Sequence, residues 1–229
     1  MRCLYMKRLF PVTLFLVLLV AACAPPPNLR DDTLLNDRSL VTSDPCAAPC
    51  FRGIIPGETS WRDAIVLIED DPDFTNIQEQ TDEESGARQA SWQQGENRAC
   101  CQMASQDGET VSLLFLQIAP NMTVGEVIET HGEPTYLVGS EYTDDQAIIT
   151  VVYPDTPMVV YLFVDGAATG ELSATSEVIG ALYLTATEME LLLQTTDLHA
   201  WEGYQSFVAY NDGPFEVTPS ITLTPTPEG

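Results

Sequence analysis

The chain has 229 residues, with 34 Asp and Glu against 9 Lys and Arg, 6 Cys, 16 Pro and a formal net charge of −25. Hydrophobic residues make up 45%, too many for a wholly disordered chain, and the length suits one or two globular domains. The charge excludes a nucleic-acid binder, which needs a basic footprint, and it is uneven: no Lys or Arg follows Arg98, whereas 19 Asp and Glu lie between Ala99 and Gly229.

The first segment reads as an address. Arg2, Lys7 and Arg8 precede Leu9 to Ala22, a run of 14 uncharged residues interrupted by Pro11 and ending in small side chains. A basic start, a short apolar stretch and small residues at its end define a secretory signal peptide. As a helix the run would measure about 21 Å, too short for a bilayer core of about 30 Å. Its end, Val20-Ala21-Ala22-Cys23, resembles the lipobox of bacterial lipoproteins. That resemblance implies a diacylglyceryl (palmitate-type) modification on the sulfur of Cys23, cleavage just before it and acylation of the new amino terminus. Two or three acyl chains give a stable lipid anchor where one gives only a marginal hold. Ala24 stands where an Asp commonly retains such proteins in an inner membrane, so the resemblance implies an extracytoplasmic, membrane-anchored protein, on the outer membrane if the cell has one. Cleavage leaves 6 basic against 34 acidic side chains, or −28. Such a chain is repelled by anionic lipid, so the anchor at Cys23 and not a basic patch must supply the membrane attachment.

Ala24-Pro25-Pro26-Pro27 favours an extended polyproline conformation, and Asn28 to Pro45 mixes charges, Ser and Thr with a few Leu and Val. Residues 23–45 are therefore expected to form the lipidated Cys and a flexible stalk, the 22 residues after Cys23 reaching about 70 Å when extended. At the other end, residues 217–229 read VTPSITLTPTPEG, a Thr/Pro tail expected to be disordered.

Between these lie two similar stretches. Ser60 followed by Asp63 marks a helix start, and Ala64, Ile65, Leu67 and Ile68 recur at helical spacing until Pro72. Thr123 and Glu126 form a second capping box before Val127 and Ile128, and His131-Gly132-Glu133-Pro134 stops that helix. Ser60, Asp63, Ala64 and Ile65 precede their counterparts by a constant 63 residues, the sign of two copies of one supersecondary unit. Strand patterns follow each helix: 89–94, 98–104 and 110–118 after the first, and 135–142, 147–153, 158–164 and 177–184 after the second. A last helix is expected over 187–195. Helices followed by antiparallel strands imply an α+β fold, helices lying across one face of a sheet, with a first unit over 46–118 and a second over 119–216.

The run from Pro120 to Pro134, P-x-M-T-x-x-E-V-I-x-x-H-G-E-P, resembles the start of the small outer-membrane lipoprotein fold of BamE (SmpA/OmlA), and is also similar to the repeats of β-lactamase inhibitor protein. The resemblance implies a short helical segment against an antiparallel sheet, twice over in a saddle with a broad sheet surface. It transfers no functional residue, and the second unit lacks the basic residues that would argue for a barrel-assembly role.

After Cys3 and Cys23, four cysteines remain: Cys46, Cys50, Cys100 and Cys101. An even number in an exported chain reads as two disulfides, with three pairings open. Because a bridge between neighbouring residues would strain the peptide, the expected arrangement takes Cys46 and Cys50 each across to Cys100 or Cys101. Loops of about 50 residues closed in this way would add about 4 kcal/mol each. Adjacent cysteines on a strand point to opposite faces, which argues against a shared zinc ion.

Candidate chemistry is sparse. His131 and His199 are 68 residues apart and join no spacing that signals a nucleophile or a base. Asp70-Asp71-Pro72-Asp73 and Asp144-Asp145 offer clustered oxygens for calcium without the twelve-residue loop. Trp201, Tyr204, Phe207 and Tyr210 recur every third residue as an aromatic stripe. No catalytic, metal or cofactor site is assigned. The expected function is a non-catalytic binding or envelope-assembly role for a membrane-anchored lipoprotein, with a basic envelope protein as partner. The alternatives are a hydrolase using clustered carboxylates and a calcium-dependent adhesion module.

Overall fold

The computed structural model describes residues 28–220. The signal segment, the lipidation candidate Cys23, Ala24 to Pro27 and residues 221–229 lie outside the described residues. The secondary elements in chain order are α1 (Ser39–Thr42), α2 (Trp61–Glu69), β1 (Phe74–Thr81), β2 (Arg88–Gln94), β3 (Ala99–Ser105), β4 (Leu113–Gln117), α3 (Val124–His131), β5 (Tyr136–Thr143), β6 (Gln146–Tyr153), β7 (Met158–Val164), β8 (Val178–Leu184), α4 (Ala186–Thr195), β9 (His199–Ala200) and α5 (Phe207–Asn211).

All nine strands join one antiparallel sheet in the order β1-β2-β3-β4-β8-β7-β6-β5-β9. The order follows from two meanders, β1 to β4 and β5 to β8, that meet along their last strands. Leu113 pairs with Leu184 and Gln117 with Gly180 at that seam. Each meander is preceded by a helix. Ser60 caps α2 by accepting from the Asp63 N–H, and Thr123 caps α3 in a reciprocal capping box with Glu126. Together α2, α3 and α5 cover one face of the sheet. That face carries Trp92, Met103, Leu114, Leu116, Leu137, Ile149, Val160 and Tyr183, each at 2% exposure or less. In β4 the alternation of inward and outward side chains sets which residues are buried, whereas β8, covered on both faces, buries six of its seven residues. Gly139 on β5 makes room for Phe207 of α5, since a Cβ there would stand 2.7 Å from the ring. Phe207 and Tyr210 of the aromatic stripe are buried, Trp201 stacks edge-on against Tyr204 with centroids 5.7 Å apart, and the stripe thus closes the β5–β9 edge.

Three expectations are corrected. The stalk is not free from residue 28 onward. Leu34, Leu35 and Leu40 are core residues, Leu35 forms a parallel bridge with Ile118, and Asn28 to Asn36 crosses the ends of the strands as a strap. Sparse leucines among charges look like linker in sequence, but here the charges point outward and are used as clamps. Residues 217–220 are also engaged: Leu198 and Val217 exchange hydrogen bonds at 2.9 and 3.0 Å, and the Ser220 N–H donates to the Gln194 carbonyl. Finally, the disulfides are local. Cys46 bonds Cys50, and Cys100 bonds its neighbour Cys101. The pairing of β2 with β3 slips between Trp92↔Cys101 and Gln93↔Ala99, which leaves Cys100 as the extra residue of a bulge. A bulge re-aims a side chain, so Cys100 and Cys101 are both buried, at 1% and 0%, instead of alternating.

Candidate functional site

The second face of the sheet is the one the helices α2, α3 and α5 leave uncovered, and it divides into three zones. On β5 to β8 it is apolar, and α4 lies over part of it through Met189, Leu192 and Leu193 against Val152, Val159, Leu184 and Leu182. A groove of about 310 Å³ follows, floored by Phe115, Ile148, Tyr161, Ile179 and Gly180, with Leu34 of the strap on one side. Phe115 and Tyr161 meet edge-on there, centroids 5.7 Å apart.

The third zone is the outer face of β1 to β4. One cross-strand row runs Gln78, Ser91, Gln102, Phe115 and Leu182. The next row runs Gln80, Gln89, Ala104 and Leu113. Gln117 continues the surface toward the groove. Alternation along an antiparallel strand places these side chains outward and Ala90, Trp92, Met103 and Leu114 inward. None of the outward residues in the two rows carries a charge, in a chain with 34 acidic side chains. The Gln89 amide donates to the Gln80 Oε1 at 2.7 Å, which leaves amide groups of both polarities directed to solvent.

The strap beside this face is held by arginine. The Arg30 guanidinium lies 4.3 Å from the Phe163 ring centre and reaches Asp165 and Glu177 at 3.8 and 3.6 Å. Arg38 pairs with Glu126 at 2.6 Å and donates to the Asn121 carbonyl; Arg98 pairs with Asp31. Arg52 reaches Asp37 at 3.2 Å, Asp71 at 3.4 Å and Asp73 at 3.7 Å. The Asp70–Asp73 cluster is thus engaged by a guanidinium through two of its carboxylates. Asp31 is held below the usual carboxylate range, first by the Thr33 hydroxyl and N–H that donate to it and then by Arg98. Glu126 is lowered by the Arg38 guanidinium and by the Thr123 N–H.

The two histidines are not brought together. His131 ends α3, where its Nε2 lies 2.6 Å from the Leu40 carbonyl. His199 is buried on β9 with Nδ1 2.9 Å from the Pro214 carbonyl. Each ring serves backbone, in separate places. Asp144 and Asp145 lie exposed in the β5–β6 turn. Among the described residues no group of three or more His, Cys, Asp or Glu is placed to hold a metal ion, and no helix is long and apolar enough to cross a membrane. Sequence reasoning missed the amide face because β1 reads as FTNIQEQT, too polar to signal a strand; its alternating Gln78 and Gln80 were the available clue.

Comparison with known protein families, with curated proteins and with solved structures finds no match to this chain.

Proposed function

We propose that this chain is a bacterial lipoprotein, anchored through acyl chains on Cys23, that acts outside the cytoplasm as a non-catalytic binding or envelope-assembly module. The observation that carries the proposal is the uncharged, amide-bearing outer face of β1 to β4. An acidic chain that keeps two whole cross-strand rows free of charge has a surface that a partner can cover without burying an unpaired ion. The acids at its edge, Asp82, Glu83, Glu84 and Glu109, then serve a different purpose, steering a basic envelope protein toward the neutral centre. His131 and His199 stand apart, each with one ring nitrogen on a backbone carbonyl, so they form no shared site.

The internal hydrogen bonds favour two tandem units. The Trp61 N–H donates to the Glu109 carbonyl as Val124 N–H does to Ser176, and Val111 N–H donates to Thr59 as Val178 N–H does to Met122. The isolated bridges Ser60↔Thr110 and Thr123↔Glu177 repeat the correspondence. Each helix start is pinned to the lead-in of the last strand of its own meander. A duplicated unit whose last strands pair gives one continuous sheet, wide enough to present a binding face beside a covered half.

The test is site-specific photocrosslinking in the cells that make the protein, with the crosslinker replacing Gln102 on the amide face or Glu58 on the helix side. Recurrent capture of one basic envelope protein from position 102 and not from position 58, weakening as salt rises, is the expected result. Equal capture from both positions, or none from position 102, overturns the assignment of this face.

A further inference from the structure

The strap fixes where the folded body begins. Its first contact is the Leu29 N–H donating to the Gln146 Oε1 at 2.7 Å, followed by the Arg30 clamp on Phe163, Asp165 and Glu177. Gln146 opens β6 and Phe163 lies near the end of β7, so the chain enters at one end of these strands. The β5–β6 turn and the β7–β8 connection form one surface there. A Cβ on Gly166 would stand 2.9 Å from the Asp144 carbonyl, and Gly166 has φ +78°, so the two turns interlock. The surface carries Asp144, Asp145 and Asp165, all exposed, and Tyr142 at 41% exposure.

Five chain steps separate Cys23 from Asn28. Fully extended they span at most about 18 Å. A tether of 22 residues would let the body stand well away from the lipid, whereas this one keeps Asn28, and with it the β6–β7 end of the sheet, within about 18 Å of the anchored Cys23. We propose that the anchored protein stands on the membrane with β5 to β8 upright, its Tyr142–Gln146 turn and Asp165 loop against the headgroup layer. This rests on lipidation at Cys23. The partner surface is a bilayer of zwitterionic, ammonium-bearing headgroups. Anionic lipid repels the exposed carboxylates of Asp144 and Asp145, whereas ethanolamine-type ammonium groups pair with them, Asp165 being already engaged by Arg30, and a phenol such as Tyr142 is at home where apolar and wet layers meet. The opposite turn, Pro154 to Pro157, is one β6 length away, eight residues or about 26 Å. The amide face on β2 lies five strand spacings from β6, about 24 Å to the side. Docking on that face therefore leaves the membrane contact undisturbed.

The experiment uses the full lipidated chain in vesicles of phosphatidylethanolamine and phosphatidylcholine containing a headgroup spin label. A fluorescent amino acid replaces Asp144 in one protein and Asp155, exposed in the opposite turn, in another. Quenching several-fold stronger at position 144 is expected, and ten Gly/Ser residues inserted after Pro27 should abolish the difference. The contrast should also shrink when phosphatidylglycerol replaces phosphatidylethanolamine. Equal quenching at the two positions, stronger quenching at 155, or indifference to the insertion overturns the orientation; a contrast unchanged by phosphatidylglycerol overturns the headgroup assignment. Vesicle flotation separates the underlying reading: if Cys23→Ala floats as well as the parent chain, lipidation at Cys23 fails. If only the parent floats, a failed quenching contrast counts against the orientation alone.

Discussion

Replacing Leu35 with Ala tests whether the strap belongs to the fold. Leu35 is 0% exposed. Its N–H donates to the Gln117 carbonyl at 3.1 Å and its carbonyl accepts from Ala119 at 2.9 Å, so the backbone is held and the site has little freedom to collapse around a smaller side chain. A buried Leu→Ala change costs about 2–5 kcal/mol, transfer and cavity together. Taking about 3 kcal/mol, and about 2–4 °C per kcal/mol for a body of this size, Leu35→Ala should melt about 6–12 °C below the parent. The assay is thermal unfolding of residues 28–220 followed by circular dichroism, with Asp32→Ala as the control on an exposed neighbour. If Leu35→Ala and Asp32→Ala melt together, the strap is a tether after all and the reasoning from its burial is wrong. A chain begun at residue 46, which discards Leu34, Leu35 and Leu40 together, should not fold cooperatively.

Thr123→Ala removes the α3 capping box and should cost about 1 kcal/mol in denaturant unfolding, with Thr123→Ser close to the parent. Gly139→Val drives a side chain into Phe207, so it should destabilise strongly, and Phe207→Ala in the same chain should recover part of the loss instead of adding to it. Asp31 and Glu126 have folded-state pKa values below their ordinary ones, so their contribution is complete above the ordinary carboxylate range and is lost as pH falls below it. Denaturation midpoints measured from pH 6 down to pH 2 should therefore fall, and a parallel series on Arg38→Met should fall less steeply. Peptide mapping without reduction should return Cys46–Cys50 and Cys100–Cys101 as separate local bridges; a peptide joining position 46 or 50 to position 100 or 101 would contradict the fold.

What was legible in the sequence is what local periodicity encodes. The caps at Ser60 and Thr123 and the apolar strands β6 to β8 were readable because cap chemistry and alternating or continuous apolar runs leave direct marks. β1 was hidden because an edge strand with one solvated face needs few apolar residues, and FTNIQEQT supplies little beyond Phe74 and Ile77. The strap and the segment after it were hidden because their contacts are non-local: Leu35 bridges to Ile118, Leu34 lines the groove with Phe115, and the Leu40 carbonyl meets the His131 ring. The cysteines misled for a specific reason: the rule that neighbours alternate holds for a regular strand, and Cys100 sits at the one place in β3 where the register slips. The amide face was invisible as a surface until the order of strands put Gln78, Ser91 and Gln102 in a row.

The seam between β4 and β8 has a consequence for how the chain is made. Residues 113–117 wait for partners at 180–184, and Leu35 waits for the Gln117–Ala119 backbone. A chain delivered amino-terminus first carries β4 as an open, apolar edge until β8 has emerged, and the loop that closes the seam must be ordered against its entropy. Non-local pairing of this kind slows folding, so the window in which chaperones act, or in which two nascent copies exchange their second meanders, is set by the time needed to deliver about 70 residues. The same continuity that gives the finished sheet a single broad face makes its assembly a late event.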